Sequence, residues 1–203
     1  MITIAIFVSG SGSNMVEIIN ATKHGILKNL ARVTLVISNN QSARAIAKAQ
    51  AYNIKTICIK RSEFNNENDF NKKILKLLVK EQIDIICLAG YLKMLGINII
   101  NTYKNKILNI HPSLLPKFGG KGMYGIHVHR AVYESKESFS GATVHFVDEN
   151  YDTGQIILQK SVSINRNELP KDIEKKVLIV EHTIYPQAIK HVITNYLKIS
   201  GGV

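Results

Sequence analysis

The sequence predicts an α/β protein whose central sheet is twisted and mostly parallel, with helices on both faces and an antiparallel extension near the C-terminus. Short apolar runs rich in β-branched residues alternate with amphipathic segments of helical length from residue 2 to residue 111. Segments of that size are the crossovers that parallel strands require. Beyond residue 141, two strand-like runs are separated only by a turn, which is typical of an antiparallel pair.

The expected strands are the runs 2–8, 32–38, 55–59, 83–89 and 106–111, followed by 142–147 and 155–164. The first run is almost wholly apolar, as a central parallel strand covered on both faces should be. The expected helices lie at 15–23, 43–52, 67–81, 94–102, 128–136 and 170–197. The last of them begins at Pro170, because proline is favoured in the first turn of a helix.

Composition and charge limit the classes of function. The chain has 203 residues, 45% of them apolar, and a net charge of +11. Its lysines are spread over expected helices and loops, no basic run is interleaved with aromatic residues, and tryptophan is absent. The charge therefore favours a solvated basic surface without a nucleic-acid partner, and a basic nucleic-acid-binding module is the alternative.

The N-terminal run and the cysteines bear on location. The apolar run 2–8 is too short to cross a membrane and lacks the basic start of a secretion signal. Cys58 and Cys87 lie in strand-like runs without a nearby His or Cys cluster, which indicates free thiols in a reducing compartment. We therefore expect a cytoplasmic protein with neither a metal site nor a membrane partner.

A glycine-rich loop, residues 9–14, joins the first strand to the first helix. Gly12 lets the backbone turn tightly, the helix N-terminus presents unpaired amides, and Ser13 and Asn14 add side-chain donors. The Gly-Lys-Ser/Thr ending of a P-loop is missing, and Met15 stands where a dinucleotide fingerprint has its third glycine. The pattern favours a monophosphate site over a simple helix cap.

The segment that follows the fourth strand is a candidate for ligand contact. It consists of Leu92, Lys93, Met94 and Leu95, just after Gly90. Ligands of open α/β sheets bind outside the carboxyl ends of strands, and apolar residues with exposed backbone suit a flat aromatic ligand there. Taken alone, however, the segment is more often plain core.

Asn109 and His111 stand at i and i+2 at the end of the fifth strand, so their side chains project to the same face. Pro112 lacks a backbone donor and favours ending the strand there. Asp152 lies on the turn between the last two strands, where it can orient a histidine and favour its charged form. We expect His111 to be that partner, while a polar turn at 109–112 and a turn-capping Asp152 are the alternatives.

These stretches resemble the glycinamide ribonucleotide formyltransferases (phosphoribosylglycinamide formyltransferases) of the folate-dependent formyltransferase family. The resemblance runs in order through residues 9–14, 88–91, 109–116 and 181–186 and covers nearly the whole chain. It implies transfer of a formyl group from 10-formyltetrahydrofolate, as co-substrate, to the amine of glycinamide ribonucleotide in purine synthesis.

The resemblance also implies where each substrate binds. It implies a single domain over residues 1–203, with a Rossmann-like, phosphate-binding half of about 1–105 and a catalytic, folate-binding half of about 106–203. The matched catalytic residues are Asn109, His111 and Asp152. The matched residues for the nucleotide are Gly12, Ser13, Asn14 and Glu181, and those for the folate are Leu92, Lys93, Met94, Leu95 and Asn109.

The implied chemistry is acyl transfer between amines, without a metal. The amide of Asn109 and a protonated His111 would donate to the oxygen on which negative charge develops. The carboxylate of Asp152 would stabilise the imidazolium, so we expect it to raise the pKa of His111. The proton of the attacking amine passes to the leaving nitrogen either through His111 or through a water held by Asp152, and the sequence leaves both routes open.

Two enzymes on the same fold are the nearest alternatives. Methionyl-tRNA formyltransferase and formyltetrahydrofolate deformylase share the Asn-x-His pair and the acid. The first normally has a further C-terminal domain and the second an N-terminal regulatory domain, and neither is expected here. We expect a monomer or a homodimer.

Overall fold

The computed structural model of the chain describes residues 1–197. The chain divides into two compact units, Met1–Leu108 and Asn109–Val203. The strands are β1 Ile2–Val8, β2 Ala31–Ser38, β3 Lys55–Cys58, β4 Ile85–Leu88, β5 Ile107–His111, β6 Phe139–Phe146 and β7 Ile156–Ser163. The helices are α1 Ser13–Lys23, α2 Arg44–Ala51, α3 Glu67–Lys80, α4 Ile97–Thr102, α5 Ile126–Glu134 and α6 Pro170–Val192. A 3-10 turn covers Arg61–Glu63, and a π-helical turn, Ile193–Leu197, follows α6.

The strands are hydrogen-bonded in the order β3-β2-β1-β4-β5-β6-β7. β1 is parallel to both β2 and β4, and β2 is parallel to β3. β6 and β7 are antiparallel. The predicted class, a mostly parallel α/β sheet with an antiparallel C-terminal extension, is confirmed.

In the first unit, β1 is buried from Thr3 to Val8, as its continuous apolar run predicts. α1 packs through Asn14, Met15, Ile18 and Ile19, whose spacing places them on one face of a helix. β4 begins two residues later than the apolar run, because the amide of Ile83 donates to the carbonyl of Leu78 at the end of α3 (3.1 Å).

The second unit contains a β6–β7 hairpin, and α6 packs against it through an apolar face. The register of the two strands shifts between Val144 and His145: Val144 pairs with Leu158, and His145 pairs with Ile156. β7 therefore carries one extra residue at this point, which is a β-bulge. Gly154 lies against the backbone just beyond the bulge, where a Cβ would be 1.8 Å from the carbonyl oxygen of Phe146. Only glycine fits there.

Two further observations concern partners. Over residues 1–197, no helix is both long and apolar enough to span a bilayer. In the same range, no group of three or more His, Cys, Asp or Glu side chains is arranged to hold a metal ion.

Candidate active site

The centre of the candidate site is the end of β5, in the second unit. β5 stops at His111, immediately before Pro112, as the missing backbone donor of proline predicts. The side chain of Asn109 is partly buried, and His111 is only 3% exposed. Both side chains approach the same carboxylate, that of Asp152, so the expected projection from one face of the strand is confirmed.

His111 is held at both of its ring nitrogens. Its Nε2 lies 2.8 Å from the carbonyl oxygen of Phe118. A carbonyl can only accept, so this nitrogen carries a hydrogen and donates it. Nδ1 lies 3.4 Å from Oδ2 of Asp152. In the neutral ring, Nδ1 therefore presents a lone pair, and it is the position at which His111 takes up a proton.

His145 on β6 is the neighbour that sequence reasoning did not find. Its Nδ1 lies 2.7 Å from the carbonyl oxygen of Phe146 and must donate to it. In the neutral ring, Nε2 is then an acceptor, and it lies 3.1 Å from Nδ2 of Asn109. His145 thereby fixes which end of the Asn109 amide is the donor. The second amide hydrogen of Asn109 is directed at Oδ1 of Asp152, at a long 3.5 Å.

Asp152 lies on the turn between β6 and β7 with its backbone in the left-handed region, at φ 56°. Its Oδ2 accepts a hydrogen bond from the backbone amide of Gly120 at 2.9 Å. The glycine-rich loop 117–125 therefore contacts both residues: the carbonyl of Phe118 accepts from His111, and the amide of Gly120 donates to Asp152. These backbone groups leave no trace in the sequence pattern, so residue types alone could not reveal them.

The charges of this cluster are shifted by burial and by each other. Burial lowers the pKa of His111 below its ordinary value, and the charge of Asp152 and the carbonyl of Phe118 raise it only in part. Asp152 therefore raises the pKa of His111, as expected, but desolvation of the imidazolium outweighs the carboxylate and the net shift is downward. Burial would raise the pKa of Asp152, but His145, His111 and the Gly120 amide together hold it below its ordinary value.

A further histidine, His129 on α5, is buried at 2% exposure. Burial first, and the charge of His111 second, lower the pKa of His129 to about 4. Within the described part of the chain, its Nδ1 has no hydrogen-bond partner. His129 is therefore a neutral imidazole in the second unit at neutral pH.

The backbone between β5 and the loop is fixed by one hydroxyl group. Thr143 Oγ1 donates to the carbonyl of Ser113 (2.6 Å) and accepts from the amide of Leu115 (3.1 Å). Gln159 on β7 donates both to Thr143 Oγ1 (2.8 Å) and to the carbonyl of Leu115 (3.0 Å). This network, buried at Thr143 and exposed at Gln159, ties residues 113–115, which follow His111, to the β6–β7 hairpin.

In the first unit, the predicted phosphate loop stands at the carboxyl end of β1. Gly12 has φ 71° and caps α1, and a Cβ at this position would lie 2.6 Å from Cβ of Ala45. Only glycine meets both conditions without strain. Ser13 is the first residue of α1, and Asn14 is buried in its first turn. The three predicted residues are thus together at a helix N-terminus, which is a suitable place for an anion.

The predicted folate segment lies beside this loop. The amide of Leu92 donates to Oγ of Ser9 (3.1 Å), and the amide of Ser9 donates to the carbonyl of Gly90 (3.1 Å). Leu92 and Met94 are exposed at 53% and 39%, whereas Leu95 is buried. Leu92, Lys93 and Met94 are accessible to a ligand; Leu95 packs in the core of the first unit.

Glu181, the remaining predicted nucleotide contact, lies on α6 in the second unit and is 9% exposed. A buried carboxylate in the middle of a helix is costly unless it is used or paired. Its position follows the predicted helix over 170–197, which the structure shows as α6 to Val192 and a π-helical turn to Leu197.

The chain is similar to known proteins along most of its length. A family model described as formyl transferase matches residues 2–189. The chloroplastic phosphoribosylglycinamide formyltransferase of Arabidopsis thaliana is 37% identical over 187 residues, which are 92% of this chain and 63% of that protein. The chain thus spans less than two thirds of the length of this curated relative.

Two solved structures have the same fold. Glycinamide ribonucleotide transformylase 1 from Symbiobacterium toebii has a TM-score of 0.89 at 32% identity, over 96% of this chain and 88% of that chain. Glycinamide ribonucleotide transformylase 1 from Geobacillus kaustophilus has a TM-score of 0.88 at 37% identity, over 95% and 99%. These findings confirm the resemblance that the motifs indicate.

Proposed function

The chain belongs to the formyl transferase family, and we propose that it transfers a formyl group from 10-formyltetrahydrofolate to the amine of glycinamide ribonucleotide, in purine synthesis. The products are formylglycinamide ribonucleotide and tetrahydrofolate. We propose a single formyltransferase domain over residues 1–203.

The observation that carries the proposal is the group formed by Asn109, His111 and Asp152. An amide donor and an imidazole with an open proton-accepting nitrogen each approach the ionised carboxylate of Asp152, at 3.5 Å and 3.4 Å. Acyl transfer between amines needs these functions: a donor for the oxygen that becomes negative, and a group that takes a proton from one nitrogen and returns it to another.

The donor set fits a formyl group. One N–H of Asn109 is fixed by His145, and the other makes only the 3.5 Å contact to Asp152, so it is easily exchanged for a carbonyl oxygen of the substrate. The formylated folate supplies the activated one-carbon group. Preorganised donors of this kind are often the largest contribution to catalysis, because they need no reorientation as charge develops.

The proton is handled at Nδ1 of His111. Because burial lowers the pKa of this imidazole, the resting ring is neutral at neutral pH, with its lone pair on Nδ1. That nitrogen accepts the proton of the attacking amine, and Asp152 Oδ2, 3.4 Å away, stabilises the imidazolium that forms. The imidazolium then returns the proton to the departing nitrogen. His111 is thus neutral before the amine attacks, whereas the sequence predicts it to be protonated at that stage.

The binding residues extend the proposal. Gly12, Ser13 and Asn14 are suited to the phosphate of the nucleotide, because they form a helix N-terminus. Glu181 is proposed to contact the same substrate. The exposed Leu92, Lys93 and Met94, with Leu95 as their buried anchor and Asn109 as a donor, are proposed to contact the folate.

The decisive experiment is a spectroscopic assay of tetrahydrofolate formation with and without glycinamide ribonucleotide. Product that requires the nucleotide supports the proposal. Product that forms equally without it indicates formyltetrahydrofolate deformylase activity instead. Formylation of charged initiator tRNA in place of the nucleotide would identify the tRNA-directed alternative.

We further propose that the protein acts in the cytoplasm, as a monomer or homodimer, without a nucleic-acid partner. The net charge of +11 is the one observation that favours nucleic-acid binding. A labelled RNA should bind only weakly at physiological salt, with the steep salt dependence of a non-specific contact. Tight RNA binding in the absence of formyl transfer would overturn the enzyme proposal.

A further inference from the structure

We propose that Asp148 and Thr153 are positioning residues for Asp152, because their side chains tie together the two ends of the loop that presents its carboxylate. This loop, residues 148–153, connects the end of β6 to the turn before β7. We call the contact between the two side chains the loop clasp. The inference rests on the proposed function, since it assigns the clasp a role in formyl transfer.

The clasp is a short, charge-assisted contact. The hydroxyl of Thr153 donates to the carboxylate of Asp148, with Oγ1 at 2.8 Å from Oδ1 and 3.0 Å from Oδ2. Oδ1 of Asp148 also accepts from the backbone amide of Asn150 at 3.0 Å. One carboxylate therefore fixes both the first turn of the loop and its last residue.

The residue that needs this support is Asp152, immediately before Thr153. Its φ of 56° lies in the left-handed region, which a residue with a side chain enters at a cost. On its other side the chain is fixed, because Gly154 lies against the carbonyl of Phe146. The clasp and Gly154 thus hold the backbone on which Asp152 is presented, and the amide of Gly120 holds its carboxylate at 2.9 Å.

Two other residues of the loop, Glu149 and Tyr151, do not help to hold its ends together. Within residues 1–197, the side chains of Glu149 and Tyr151 make no hydrogen bond, and both are exposed. A loop of this length closed by backbone contacts alone would sample several conformations. Since acyl transfer depends on groups held in a productive geometry, loss of the clasp is expected to reduce the catalytic step more than substrate binding.

The test removes one hydroxyl and keeps the shape of the side chain. Thr153→Val deletes the donor, and Thr153→Ser retains it. Thr102→Val on α4 is a control, because Thr102 is also an exposed threonine and its hydroxyl donates to a near neighbour, the carbonyl of Asn98 (2.7 Å). For Thr153→Val we expect kcat to fall about five- to tenfold, with KM for both substrates within about twofold of wild type.

Thr153→Ser and Thr102→Val should both retain kcat within about twofold of wild type. Asp148→Ala should lower kcat at least as much as Thr153→Val, because it also removes the acceptor of the Asn150 amide, and adding Thr153→Val to it should lower kcat little further. A wild-type kcat for Thr153→Val, or an equal loss in Thr153→Ser or Thr102→Val, would overturn the proposal.

A second readout does not depend on activity. The amide of Gly120 donates to Asp152, so its hydrogen exchange reports whether the carboxylate is in place. Thr153→Val should accelerate exchange at Gly120, while the Leu115 amide, bonded to Thr143, should be unaffected. If wild type shows no formyl transfer, the proposed function fails, and unchanged Gly120 exchange in Thr153→Val separately overturns the clasp.

Discussion

His145 holds Asn109 in one orientation: its Nε2 lies 3.1 Å from the amide nitrogen of Asn109, and its Nδ1 donates to the carbonyl of Phe146. In the neutral ring the carbonyl contact decides the tautomer, so Nε2 accepts and the amide nitrogen of Asn109 faces it. An amide turned by half a rotation would place two acceptors against each other. The direction in which Asn109 donates is therefore set by a residue on the neighbouring strand.

Replacing His145 should release the side chain of Asn109 from its fixed orientation. In His145→Phe the acceptor is lost, Asn109 can rotate, and we expect kcat to fall about tenfold to a hundredfold. His145→Gln offers a carbonyl acceptor to the same amide and should retain more activity than His145→Phe. Circular dichroism and thermal unfolding should accompany the kinetics, since a buried hydrogen bond contributes about 1 kcal/mol to stability. Equal kcat values in folded preparations of the two variants would contradict this role.

Asp152→Asn should lower turnover far more than stability. Asparagine tolerates the left-handed backbone at this position and can still accept from the Gly120 amide, so the fold should persist. The imidazolium of His111 loses its counter-charge, and we expect kcat to fall by about a hundredfold. The pKa of His111 should fall further, because Asp152 is a group that raises it. Steady-state kinetics and an NMR titration of the imidazole test both statements, and an unchanged kcat would remove Asp152 from the mechanism.

His129 should make the protein sensitive to acid. Its pKa is 6.5 when unperturbed and about 4 in the folded protein. Between these values the unfolded chain binds the proton more readily, so the free energy of unfolding should decrease as pH falls from about 6.5 to about 4. The contribution of this one group is roughly 3 kcal/mol. It is fully present above about pH 6.5.

The variant His129→Gln removes this titration while leaving a neutral polar side chain. Urea unfolding at a series of pH values between 4 and 7.5 should show a flatter dependence for the variant than for wild type. Parallel slopes for the two proteins would show that other groups determine acid sensitivity.

Gly12→Ala should strain the loop before α1 in two ways. The new alanine must adopt a backbone φ of 71°, and its Cβ would lie 2.6 Å from Cβ of Ala45. We expect a loss of about 2 kcal/mol in the free energy of unfolding and a higher KM for the nucleotide. Ala45→Gly removes one partner of the clash, at a cost of about 1 kcal/mol for glycine in a helix.

The double variant Gly12→Ala/Ala45→Gly should be more stable than the sum of the two single effects, by about 1 kcal/mol. Denaturant unfolding of the four proteins gives this coupling directly. Strict additivity would mean that the loss of stability in Gly12→Ala comes from the backbone conformation and not from the close approach to Ala45.

The sequence alone predicted the elements with small errors at their ends. Long apolar runs such as β1 mark buried parallel strands, and Pro112 marks the end of β5 because it lacks a donor. The start of β4 differs from the prediction because the amide of Ile83 is hydrogen-bonded to the end of α3. Gly12 could be recognised because a tight turn before a helix demands a glycine.

The three proposed catalytic residues could be named from motifs, but the contacts around them could not. His145 lies within a strand of ordinary alternation, and its role follows only from pairing with the strand that carries Asn109. The contacts from Phe118 and Gly120 use backbone groups, which every residue possesses. The lowered pKa of His111 is a consequence of burial, and burial of a polar strand end depends on the whole packed unit.

The β6–β7 hairpin restricts where residues can be inserted into this protein or deleted from it. Asp152 follows His145 on the hairpin whose register is offset by one residue in β7. Deleting the extra residue, Ile157, would leave Ile156 and Leu158 paired with His145 and Val144 as direct neighbours, and would remove the local bend that the bulge gives β7. An insertion or deletion between His145 and Asp152 would change the length of the loop that brings the carboxylate to the two imidazoles, so we expect length changes to be tolerated in the exposed turn 61–66 but not there.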